Sequence, residues 1–143
     1  MRGGVVFNTT DPNVVIRVGP DESSDREMLM ADEDMQETGG VVRIYHQMPL
    51  QVGGETYLAS WKEQISEFVE AFLMRNYGDQ YDEIGAVLAG LYHCNRDGLK
   101  VLMKCPATKG LAQAIRLGLP VDDLALDHNL GVTKDGRVVA FDI

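Results

Sequence analysis

At 143 residues, with 45% hydrophobic and 24% charged side chains, the chain has the size and composition of one soluble globular domain. Its 22 Asp and Glu against 13 Lys and Arg leave a formal charge of −9, which repels a phosphate backbone instead of releasing its counterions, so direct nucleic-acid binding is not expected. No run approaches the roughly 20 apolar residues needed to cross a bilayer, and no signal-type apolar region precedes Val5-Val6-Phe7, so a cytoplasmic protein without a membrane contact is expected.

Two β-type runs open the chain, Val5-Val6-Phe7 and Val14-Val15-Ile16-Arg17-Val18, around the turn-forming Asp11-Pro12-Asn13, and predict a hairpin. Ser23-Ser24-Asp25, followed by apolar residues at helical spacing and stopped by Gly39-Gly40, predicts one helix over about 25–37. A second β-type pair follows, Val41 to Tyr45 and Glu55 to Ala59, joined through Pro49 and Gly53-Gly54. Trp61, Ile65, Phe68, Val69, Phe72 and Leu73 fall on one face at a period of 3.6 and predict a helix starting at Trp61. Tyr81, Ile84, Val87, Leu88 and Leu91 predict another, interrupted by Gly85 and Gly90.

Asn95-Arg96-Asp97-Gly98 reads as a hairpin turn between residues 91–94 and 99–103, and residues 108–117 as a helix closed by Gly118 and Pro120. The chain ends in a hairpin with Asp135-Gly136 at its turn. Cys94 and Cys105 are too few for a disulfide framework and are expected to be reduced. His46, His93 and His128 lack metal-ligand spacing. Trp61 is expected in the core, Asp32, Glu33, Asp34 and Glu37 on a solvated face, and Met28, Met30 and Met35 in the core or on an adaptable contact surface.

Asn129 and Asp142 stand at the two ends of the last ribbon. An amide and a carboxylate so placed suit a magnesium ion that also touches phosphates; alternatively Asn129 starts a turn and Asp142 is solvated. This tail, in which Asp142 stands thirteen positions after Asn129, resembles the end of a protein-kinase-like domain, where the catalytic loop closes on Asn and the next motif opens with a metal-binding Asp. Gly118-Leu119-Pro120-Val121-Asp122-Asp123-Leu124, with Asn129-Leu130-Gly131-Val132 and Asp135-Gly136-Arg137, is most similar to small phage and bacterial kinase-like proteins of the early-gene phage kinase type.

The resemblance implies an α+β, kinase-like fold with a small antiparallel sheet, helices and a truncated C-terminal lobe. Residues 1–143 would form one domain, with 1–60 resembling the N-lobe and 61–143 a remnant C-lobe ending at the metal-binding Asp142. It further implies Gly3 and Gly4 in a glycine-rich loop, Arg17 at the place of the phosphate-binding lysine, Glu27 as its ion-pair partner on the following helix, and Asn129 with Asp142 on the magnesium of Mg-ATP.

Four departures qualify it. Arg17 replaces lysine, and its planar fork is no equivalent of a compact ammonium. Leu124 occupies the position of the catalytic Asp, with Asp123 and Asp127 on either side. The chain opens inside the glycine-rich loop, and it ends one residue after Asp142, without activation segment or helical platform. Three functions are consistent with this pattern. One is a pseudokinase-type module that binds a host or phage protein. The second is a minimal kinase using Asp123 or Asp127 as base, and the third an acidic inhibitor that copies nucleic-acid charge. Residues 57–62 or 99–106 would lead into the hinge. An apolar face is expected where the platform would dock, and a homodimer would cover it.

Overall fold

The computed structural model describes residues 5–20, 25–121 and 129–141. These form an α+β chain with a four-stranded antiparallel sheet, six α-helices and a separate two-stranded hairpin. Strands β1 (Val5–Asn8) and β2 (Val14–Pro20) make the first hairpin, in register Val5↔Val18 to Asn8↔Val15. The Asp11 carboxylate accepts from the Asn13 amide at 2.9 Å and closes the turn. Strands β3 (Ile44–Val52) and β4 (Glu55–Glu63) form the second hairpin around Gly53 and Gly54, both at positive φ. The sheet order is β1-β2-β4-β3, so β3 is an edge, and an edge is where Pro49 is tolerated because its missing N–H is not required by a neighbour.

Between the hairpins, the single helix expected over 25–37 is two: α1 (Asp25–Ala31) and α2 (Glu33–Glu37). Asp32 breaks them, with ψ 137° and its carboxylate accepting from the Asp34 and Met35 amides, a cap that restarts the helix at a new angle. Met30 and Met35 are core residues, whereas Met28 is exposed.

The helix expected from Trp61 begins only at Val69: α3 spans Val69–Asn76. Trp61 belongs to β4, half-buried against His46 with ring centroids 5.2 Å apart, outside the central core. Residues 64–68 are held extended by the final hairpin, since the Ser66 amide donates to Val132 O and Glu67 exchanges backbone bonds with Val132. Tertiary pairing therefore overrides the helical period.

Helix α4 (Tyr81–Ala89) lies where expected. The hairpin expected around Asn95 is instead the start of helix α5 (Arg96–Lys104): the Asn95 side chain accepts from the Gly98 amide at 2.9 Å, an N-cap. Asn, Asp and Gly serve turns and caps alike, so this tetrapeptide alone does not distinguish them. Residues 99–103 are thus helical, and β3–β4 is the hairpin that leads into the helices. Helix α6 (Lys109–Leu117) ends at Gly118, whose φ of +124° and backbone bonds to Ala114 and Ile115 close it as expected.

Strands β5 (Leu130–Val132) and β6 (Val138–Ala140) form the last hairpin, with every residue buried. It is wedged between Glu67 on one side and residues 40–42 on the other, where Val42 donates to Ala140 O and Ala140 to Gly40 O. The main core lies among α2 to α6 and this hairpin, and includes Met35, Leu73, Ile84, Leu88, Leu102, Leu111 and Val138. Cys94 and Cys105 are free thiols, and burial pushes the Cys94 thiol up.

Arg137 stitches the hairpin to the sheet. Its guanidinium donates to Gly39 O at 2.9 Å, to both Glu63 oxygens at 3.0 and 3.1 Å, and to Asp135. A hydrogen bond from the Thr133 hydroxyl, and next the Arg137 guanidinium, hold the Asp135 carboxyl below the ordinary value of 3.8, against the opposing effect of burial. A carboxylate lowered on folding stabilises the protein above its unfolded pKa, and that contribution disappears as pH falls through the folded value. Asp135→Asn should therefore flatten the fall in unfolding temperature below pH 3.8, by a small amount because the side chain is half exposed. Superimposable acid limbs for the two proteins would contradict this.

Candidate functional site

Strand β2 and helix α1 bring together two of the residues singled out above. Arg17 and Glu27 are each only 4% exposed, with Arg17 Nε 3.9 Å from Glu27 Oε2. Arg17 can lie along the sheet because Gly19, two residues on and on the same face, has no Cβ; one placed there would stand 2.8 Å from a guanidinium nitrogen.

The nearer cation to Glu27 is one that the sequence reasoning missed. Lys62, 5% exposed on β4, places Nζ 3.0 Å from Glu27 Oε1 and 3.2 Å from Oε2. Val15↔Lys62 and Arg17↔Ser60 are paired positions, so both cations project from the same face of the sheet toward α1. Lys62 also donates to the Phe141 carbonyl at 2.7 Å. One ammonium thereby joins the helix carboxylate to the backbone just before Asp142. Moving a carboxylate, an ammonium and a guanidinium out of water is costly, and it is sustained by this mutual pairing.

A cavity of about 140 Å³ opens above the cluster. Val6, Val15, Ile65 and Phe141 make its walls apolar, while Arg17 and Lys62 reach it with positive charge. Ile65 itself is seated against Gly131 of β5, where a Cβ would come within 2.5 Å of it. Glu63 and Gln64 complete the lining, so the site has largely apolar walls and two buried cations, a combination suited to a ring carrying anionic groups.

Asn129 immediately precedes β5, its carbonyl accepting from the amide of Phe141, which lines the cavity, at 2.9 Å, so the two ends of the ribbon meet there. Gly3, Gly4, Asp123, Asp127 and Asp142 lie outside the described residues. Among the described residues no three His, Cys, Asp or Glu side chains converge as a metal site. No helix among them is long and apolar enough to cross a membrane. No protein-family model and no curated protein matches the chain.

Proposed function

We propose that this chain is a degenerate protein-kinase-like domain of phage type that binds a magnesium nucleotide in the cleft above Glu27 and acts by binding a protein partner. The observation that carries the reading is the buried Arg17–Glu27–Lys62 cluster facing an apolar cavity next to Phe141. Two hairpins with helices between them, then helices, then a ribbon beginning at Asn129, is the element order that a kinase-like domain requires.

The residues fit the ligand in kind. Arg17 and Lys62 offer positive charge for a polyphosphate, the walls suit a base, and Asn129 with Asp142 would hold magnesium. At 140 Å³ the enclosed space is below the roughly 300–1,000 Å³ of most ligand sites, so it takes a ring and not a whole nucleotide within its walls. When bound, the nucleotide supplies a transferable phosphoryl group. Weak or absent transfer is favoured by Arg17 in the place of lysine, by Glu27 lying nearer Lys62 than Arg17, and by Leu124 where a base belongs.

Thermal unfolding with and without Mg-ATP tests this. At ~100 times its dissociation constant the nucleotide should add about 2.7 kcal/mol, a rise of several degrees for a domain of this size. The rise should vanish in Asn129→Ala and Asp142→Ala. No rise at saturating nucleotide rejects the reading. Labelled phosphate transfer to a protein acceptor, abolished by Asp142→Ala, would replace binding with catalysis.

A further inference from the structure

We infer that the groove between α3 and α4 is a docking site for a partner segment that pairs a large apolar side chain with lysine or arginine. The groove encloses about 210 Å³. Buried Val69 and Leu73 of α3 form its floor, and Gly85 and Ala86 of α4 keep its far wall low. Each wall contributes a carboxylate, Glu70 from α3 and Asp82 from α4, both on exposed residues.

Charge complementarity selects the occupant. From residue 67 to 90 the chain carries five carboxylates and one cation, Arg75, and Arg75 is spent on Glu67 through contacts of 2.8 and 2.9 Å. A basic segment gains from this field, whereas an acidic segment or a nucleic acid is repelled. Apolar surface flanks the groove on the same helix: Phe68 at its start is 78% exposed and Met74 is 61% exposed.

Gly85 supplies an independent reason. A glycine inside a helix costs stability, and it is normally explained by positive φ or by close packing. Gly85 has neither: its φ is not positive, and a Cβ there would meet only the Tyr81 ring, at 4.0 Å. What its missing side chain provides is the open groove. Because α3 and α4 are not part of the Glu27 cleft, nucleotide binding is neither required for this docking nor tested by it.

The experiment is a selection of short random peptides on the immobilised full chain, with Gly85→Met as counter-target. Methionine fills the groove and favours helix, so this variant should unfold no lower than wild type. Peptides joining a large apolar residue to Lys or Arg should be enriched, and a synthesised winner should bind Gly85→Met at least about tenfold more weakly. Its affinity should also fall with salt and in the surface variant Glu70→Gln/Asp82→Asn, which keeps the test readable should Gly85→Met misfold. No enrichment over the counter-target, enrichment of acidic or uncharged peptides, or a winner indifferent to these changes would overturn the proposal.

Discussion

Glu27→Ala is expected to lower the stability of this domain by about 3–5 kcal/mol, a large share of what a chain this size possesses. The carboxylate is the group on which two buried cations converge, and its removal leaves the guanidinium of Arg17 and the ammonium of Lys62 facing each other out of water. Lys62→Met should cost less. It leaves Glu27 with Arg17 at 3.9 Å, and a flexible apolar chain fills the space of the lysine stem. The ordering is the informative part, read from urea denaturation with a common slope. If Lys62→Met proved as damaging as Glu27→Ala, the bond from Lys62 to the Phe141 carbonyl, and not the shared carboxylate, would be the keystone of the site.

That ordering also marks the boundary of what could be read from the sequence. Arg17 and Glu27 were legible only through the kinase-like resemblance, which puts a cation on the second β-rich run and a carboxylate on the helix after it. Lys62 was not legible. It is 35 residues from Glu27, and nothing in Ser60-Trp61-Lys62 says which face of the strand is buried. Only the register Val15↔Lys62 aims it at α1.

Trp61 and Asn95 show in physical terms how a local pattern misleads. Apolar residues at 61, 65, 68, 69, 72 and 73 satisfy a helical period, but Glu67 and Ser66 find backbone partners on β5 before a helix can start. A short segment then follows its strand partner, not its period. Asn95 lacks even that conflict, since its side chain satisfies an amide three residues on in a cap as readily as one two residues on in a turn. The last hairpin was legible because Asp135-Gly136 has one economical use between β-rich runs, and Gly136 indeed adopts φ +84°.

Gly110→Ala and Gly85→Ala should move stability in opposite directions, although both put alanine into an α-helix. At Gly85 the Cβ enters open space, so the change should stabilise by about 0.5–1 kcal/mol. At Gly110 the same atom would lie 2.6 Å from the Thr38 carbonyl oxygen and 2.8 Å from the Gly39 carbonyl carbon. The reciprocal contact is tighter still, with a Cβ at Gly40 only 2.2 Å from the Gly110 carbonyl oxygen. Both partners are backbone, neither glycine has positive φ, and no side chain can swing aside, so the effect is purely steric. Overpacking of this kind costs roughly 1–3 kcal/mol, and Gly40→Ala should fall at the upper end or beyond it. The consequence reaches the cleft. Residues 40–42 carry the backbone bonds that seat Ala140, and Phe141 follows directly with its carbonyl on Lys62. Amide exchange measured on Gly40→Ala should therefore quicken at Val42 and Ala140 together. Fast exchange confined to the neighbourhood of Gly110 would mean that helix α6, and not the hairpin, yields to the added methyl.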